Sequence, residues 1–215
     1  MEHSVTFSFE GRFFTSGNLA TASQIWFAFH GYGQLASSFV KKFSGLAERN
    51  AYIIVPEALS RFYLEDTTSR MRTGNTRVGA SWMTREDRLR DIDNYLRFLN
   101  TIYRSLNLPK DIPVTICGFS QGAATATRWA IDGEVDFQRL ILWAGIFPPD
   151  VNFDKGRGIL KDKETIVVFG DKDPFINDER FAEMKVISAN LGITPSIVKF
   201  DGEHSIDEKT LLKFL

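Results

Sequence analysis

Short, nearly continuous apolar runs alternate along this chain with longer stretches whose apolar residues recur at three- and four-residue steps. Residues 24–29, 52–55, 114–117, 140–143 and 165–169 are runs of the first kind. Such runs mark strands buried on both faces. Residues 196–200 read as a further strand. Residues 37–50 place Phe39, Phe43, Leu46 and Ala47 on one helical face, and residues 85–106 do the same with Leu89, Ile92, Leu96, Leu99 and Tyr103. Helices are also expected over 121–131, 178–191 and 207–214. The opening reads as two strands, 4–10 and 12–16, turning at Gly11. Strands alternating with helices predict an α/β fold with a mostly parallel central sheet and helices on both faces. In such sheets ligands sit at the carboxyl ends of the strands, so the segments after the strands are where chemistry is expected. No linker, repeat or low-complexity tract divides the chain, and a single domain over residues 1–215 is expected.

Composition narrows this picture by exclusion. At 43% hydrophobic and 25% charged residues the chain has the balance of a globular protein, not a disordered one. A formal net charge of −1 gives no overall pull toward nucleic acid. Cys117 is the one cysteine, which excludes an intrachain disulfide and a cysteine-rich metal site. Residues 1–11 lack the apolar core of a signal peptide. No apolar run reaches the roughly 18–20 residues of a membrane span. A cytoplasmic location is therefore expected.

The strongest chemical signal is Gly118-Phe119-Ser120-Gln121-Gly122. This G-x-S-x-G follows an apolar strand and precedes an alanine-rich helix, the context of a nucleophile elbow. A serine hydroxyl is a weak nucleophile and needs a base within hydrogen-bond reach. Of the three histidines, His3, His30 and His204, only His204 follows Ser120, in the order serine, acid, histidine. The acid is expected after strand 165–169, in Gly170-Asp171-Lys172-Asp173-Pro174, where spacing leaves Asp171 and Asp173 both open. Oxyanion donors are expected at the backbone N–H groups of Gln121 and Tyr32, the latter in His30-Gly31-Tyr32-Gly33. His30 itself is expected to hold that loop. Cys117 lies three residues before Ser120, where a small packing role fits better than nucleophilic chemistry. No metal-ligand spacing stands out, and no cofactor is expected.

Together these residues resemble the phospholipase/carboxylesterase family of α/β-hydrolases, which includes the acyl-protein thioesterases. The resemblance rests on His30 to Gly33, Gly118 to Gly122, Gly170 to Pro174 and His204, and it spans nearly the whole chain. It implies an α/β-hydrolase fold with little or no cap. It implies a serine esterase or thioesterase acting on a small-molecule ester or thioester without a cofactor. It also implies Asp173 as the acid. Ala144-Gly145-Ile146-Phe147-Pro148 is similar to a loop that lies near the site in that family. The departure lies between Ser60 and Thr84, where a tryptophan-rich stretch is replaced by Phe62-Tyr63-Leu64-Glu65, several arginines and Ser81-Trp82-Met83. Tyr63, Trp82 and Phe147 are candidates for lining the substrate pocket, and equally for core or loop anchors. Arg61, Arg70, Arg72, Arg77 and Arg85 read as a solvated loop balanced by nearby acids, with binding of an anionic group as the sharper alternative. Acyl transfer or peptide cleavage on the same scaffold, or a non-catalytic binding protein, are the rival functions.

Overall fold

A computed structural model describes Met1 and residues 3–215. Among the described residues nine strands and eight α-helices follow one another as β1 (Phe13–Ser16), β2 (Gln24–Phe29), α1 (Ala36–Phe39), α2 (Ser44–Ala47), β3 (Ala51–Pro56), β4 (Ser60–Tyr63), α3 (Thr67–Thr73), β5 (Val78–Ser81), α4 (Arg88–Ser105), β6 (Val114–Phe119), α5 (Gln121–Asp132), β7 (Arg139–Trp143), α6 (Phe153–Leu160), β8 (Glu164–Gly170), α7 (Asp178–Asn190), β9 (Ser196–Phe200) and α8 (Glu208–Leu211). Seven strands form one sheet in the order β1-β3-β2-β6-β7-β8-β9. All its pairings are parallel except that of β1 with β3. The fold is that of an α/β-hydrolase, with helices on both faces.

The continuous apolar strands follow from this layering, because successive side chains enter opposite layers. Ile25, Phe27 and Phe29 of β2 join one apolar layer with Tyr95 and Leu99 of α4, Trp129 of α5 and Leu191. Trp26 and Ala28 join the other layer with Phe39, Phe43, Leu46 and Leu211. Phe27 meets Trp129 edge-on with ring centroids 4.9 Å apart. Such pairs add about 0.5–1.5 kcal/mol beyond simple burial.

Three local expectations are corrected, and one helix was missed. Residues 4–10 form no strand, because β1 already occupies the edge of β3, and Val5, Phe7 and Phe9 stay exposed. Their alternation has no sheet to serve. The single helix expected over 37–50 is instead α1, a 3₁₀ turn (Val40–Phe43) and α2. The Ser44–Gly45 pair and β-branched Val40 weaken a continuous helix there, while Phe39, Phe43 and Leu46 still reach the core. Leu89, placed on the apolar face of α4, is 70% exposed in its first turn. Helix α6 went unread, since Gly156 and Gly158 blur its period, yet it is capped by Asn152 Oδ1 accepting from Lys155 N–H.

The unusual 60–84 segment is a small excursion made of β4, α3 and β5. The antiparallel β4–β5 pair docks on the loop after β2. Gly33 N–H donates to the Ala80 carbonyl (2.9 Å), Ala80 N–H donates to the Gln34 carbonyl (3.1 Å), and Tyr32 packs on Phe62 with ring centroids 5.1 Å apart.

Candidate active site

Ser120 stands between β6 and α5 with φ 54° and ψ −117°, a backbone conformation that L-residues seldom adopt. Its N–H donates to the Trp143 carbonyl (2.8 Å), and its carbonyl accepts from Ala123 N–H (3.0 Å). The flanking glycines are sterically required. A Cβ at Gly118 would lie 2.2 Å from the Gly122 carbonyl oxygen, and one at Gly122 would lie 2.2 Å from that of Phe29. The elbow is thus pressed against its own helix and against β2. The Gly31 loop also approaches the serine, since a Cβ there would lie 3.3 Å from Ser120 Cβ.

The segments after β8 and β9 bring an acid to a histidine. His204 Nδ1 lies 2.8 Å from Asp173 Oδ2. The Asp173 side chain is fully buried, while that of His204 is 23% exposed. Asp173 Oδ1 accepts from Phe175 N–H (2.9 Å). Asp171, the alternative left open by spacing, is exposed, and its Oδ1 accepts from Gly202 N–H (3.1 Å). The imidazole is flanked by Phe119 and Phe175, with ring centroids 4.9 and 4.8 Å away. Among the described residues the Ser120 hydroxyl makes no hydrogen bond. Ser120 and His204 nevertheless line one open cavity of about 410 Å³ with Gln121 and Phe147. A larger groove of about 750 Å³, between residues 4–9 and α4, contains none of Ser120, Asp173 and His204.

Gln121 follows Ser120 as the first residue of α5, and Tyr32 follows Gly31 in the loop that approaches Ser120. Neither backbone N–H has an acceptor among the described residues, as expected of groups left for an anion. The Tyr32 ring itself is exposed and turned onto Phe62. Phe147 is buried and forms part of the cavity wall. Trp82 and Tyr63 lie outside that wall. Trp82 is 2% exposed, packs on Phe29, His30 and Tyr95, and donates from Nε1 to the His30 carbonyl (2.9 Å). Tyr63 lies under the Arg70 guanidinium, 4.0 Å from its ring centroid. Arg61 is turned toward Glu57 and Arg77 toward Glu65.

His30 holds the loop from beneath. Its Nε2 accepts from Ala58 N–H (3.1 Å), a backbone group that can only donate. Nδ1 must then carry the proton and donate to the Gly31 carbonyl (2.8 Å). The ring is neutral, and burial lowers its pKa, outweighing the opposite pulls of Gly31 and Glu57. An unfolded histidine takes up a proton near pH 6.5, and buried His30 does so only at lower pH. Between the two the unfolded chain binds more protons, so acidification favours unfolding. Stability is expected to be complete above about pH 6.5 and to fall with acidification through the lowered value. Urea titrations across this range check it: a His30→Gln variant should show a shallower loss, and an equal slope would assign the effect elsewhere.

Three features escaped the sequence reading. The Gln121 side chain ties the elbow to the end of β5, accepting from Trp82 N–H (3.1 Å) and donating to the Met83 carbonyl (2.9 Å). The rings that flank His204 come from Phe119, a variable position of the serine motif, and Phe175, which carries no motif. Arg128 is buried in α5 and lines the cavity. Its one signal was a charge seven residues after Gln121, in a helix with no other charge before Asp132. Burial pushes the Cys117 thiol pKa far up, which leaves it protonated and a poor nucleophile.

Comparison with known proteins adds a family and a fold. A family model described as Serine hydrolase (FSH1) matches residues 21–212. No protein of curated function matches in sequence. Among solved structures, Zea mays acyl-protein thioesterase 2 is 17% identical with a TM-score of 0.68, over 95% of this chain and 96% of that one. Esterase PE8 is 19% identical with a TM-score of 0.64, over 95% and 96%. The Bacillus cereus carboxylesterase is 12% identical with a TM-score of 0.64, over 95% and 91%. At these identities the likeness is one of fold. No helix of the described residues is long and apolar enough to cross a membrane.

Proposed function

The chain belongs to the FSH1 serine hydrolase family, and from that premise we propose that it cleaves carboxylic ester or thioester bonds of small molecules through an acyl-enzyme on Ser120. The observation that carries this reading is the His204–Asp173 pair, 2.8 Å apart with the carboxylate buried, opening with Ser120 onto one cavity. An Nδ1–H donated to Asp173 leaves the Nε2 lone pair free to accept a proton. Ser120 Oγ bonds to the substrate carbonyl carbon as its proton passes to Nε2. The carbonyl oxygen takes the electron pair and is held by the N–H groups of Tyr32 and Gln121. Collapse breaks the ester or thioester bond, and the imidazolium protonates the leaving oxygen or sulfur. Water, deprotonated by the same nitrogen, then attacks the acyl carbon, releasing the acid and restoring Ser120. Every step balances with protein groups and water.

In this reading residues 1–215 act as one catalytic unit, with the β4–α3–β5 excursion bracing the oxyanion loop. A fluorophosphonate probe is the direct test, because it needs an activated serine and no knowledge of the substrate. One probe per chain is expected, and peptide mass mapping should place it on Ser120. Label on another residue, or none on folded protein, would overturn the proposal.

A further inference from the structure

The cavity wall carries charge that hydrolysis itself does not use. Gln121, Ala124 and Arg128 all line the cavity, at i, i+3 and i+7 on α5. Residues so spaced share one helix face, and Arg128 lies about 10 Å along the axis from the nucleophile elbow. Its side chain leans back toward the helix N-terminus, over small Ala124. Arg88, at the start of α4, and Asp150, in the loop after β7, line the same cavity.

The charges there do not balance. Asp150 Oδ1 accepts from Arg128 Nη2 (2.6 Å), and its other oxygen accepts from Arg88. One carboxylate thus serves two guanidinium groups. Arg180 is matched by Glu183, 2.7 Å away. The cavity wall therefore has three arginines against two acids, apart from His204 and its own partner Asp173. Burial pushes the Asp150 pKa up, but the hydrogen bonds and charges of Arg128 and Arg88 outweigh it and hold the carboxyl below its usual range. Donors are also in surplus. The Arg128 side chain is 5% exposed. Its Nη1 makes only long contacts, to Tyr95 Oη (3.4 Å) and Met83 Sδ (3.7 Å). Its Nε is buried with no acceptor among the described residues. Apolar side chains of similar size would serve packing at least as well as a buried charge with a half-share of a partner.

We propose that Arg88 and Arg128 form a subsite for a carboxylate at the far end of the substrate's acyl arm. This rests on the ester- or thioesterase reading above. The leaving atom has to reach His204 Nε2, between Phe119 and Phe175, so the leaving arm exits on that side. The acyl arm is the one that runs along α5 past Ala124. A terminal carboxylate there would supply the second acceptor that two guanidinium groups sharing Asp150 lack, as guanidinium groups favour.

The test compares two methylumbelliferyl esters of equal length, the hexanoate and the adipate monoester, which differ in the terminal carboxylate. The parent enzyme is expected to favour the adipate monoester by on the order of tenfold or more in kcat/KM. The ratio should fall below about twofold in Arg88→Met and in Arg128→Met. It should persist in Arg97→Met, which removes the same charge from α4 outside this cavity. Should Arg128→Met fail to fold, the parent ratio and half-exposed Arg88 still decide. A parent that cleaves both esters without preference, or a preference that survives loss of either arginine, would overturn the subsite and leave the hydrolase reading standing. Folded protein that cleaves neither ester and takes no fluorophosphonate would instead remove the hydrolase reading.

Discussion

Ser120→Ala and Ser120→Gly are both expected to lower kcat/KM by about 10⁴- to 10⁶-fold, and only the glycine variant is expected to gain stability. The activity loss follows from removing the atom that forms the acyl-enzyme, with the oxyanion donors and substrate binding left to supply residual catalysis. The stability difference follows from the backbone. At φ 54°, ψ −117° a Cβ is strained, at a cost of about 1–3 kcal/mol. Alanine keeps that Cβ, whereas glycine removes it. The gain is partly offset by about 0.5–1 kcal/mol from the freer unfolded chain. A net rise of about 1 kcal/mol corresponds to about 2–4 °C in Tm for a chain of this size. Thermal unfolding of the three proteins and ester turnover under identical conditions check both halves. Glycine less stable than alanine would mean that the elbow stores no relievable strain. Undiminished turnover in either variant would remove Ser120 from the chemistry.

The fold was legible because its strands are buried on both faces and its helices on one, so the two periods separate cleanly along the chain. Residues 114–117 and 121–131 were read almost to their observed ends, since a fully apolar strand meets an alanine-rich helix across a glycine-marked turn. What failed were elements whose neighbours, not their own pattern, decide the outcome. Residues 4–10 alternate like a strand but find the edge taken. Residues 37–50 carry the right apolar residues but lie over the sheet as short turns.

The site divides in the same way. Ser120, Asp173 and His204 lie just after β6, β8 and β9, and strand ends and glycine turns leave marks in a sequence. Side-chain partners leave none. Spacing could not reveal that Trp82 would be spent on the His30 carbonyl, or that Arg61 and Arg77 would turn to Glu57 and Glu65. The one arginine that reaches the cavity from α5 lay inside a helix read only as alanine-rich. A buried charge is legible only as an exception to its helix's apolar face, and Arg128 is such an exception.

Asp173→Asn is expected to cost about 10⁴-fold in kcat, and Asp171→Asn only a few-fold. The difference is fixed by what each oxygen touches. Asp173 Oδ1 already accepts from Phe175 N–H (2.9 Å), while Oδ2 faces His204 Nδ1 (2.8 Å). Asparagine has one oxygen to offer. If that oxygen stays with Phe175, the amide NH₂ faces Nδ1, which must then accept. The imidazole proton moves to Nε2, and the nitrogen that should take the Ser120 proton is blocked. Turning the amide over restores the tautomer, but it sets NH₂ against Phe175 N–H inside a buried turn and still lacks the negative charge that stabilises the imidazolium. Neither rotamer serves. Asp171 is exposed, and its Oδ1 accepts from Gly202 N–H (3.1 Å). Asparagine keeps that acceptor, so the loop carrying His204 stays in place. Steady-state kinetics of the two variants, with circular dichroism to establish folding, decide the matter. The reverse ranking in folded protein would move the acid to Asp171, and equal small losses would mean that His204 needs no carboxylate to act.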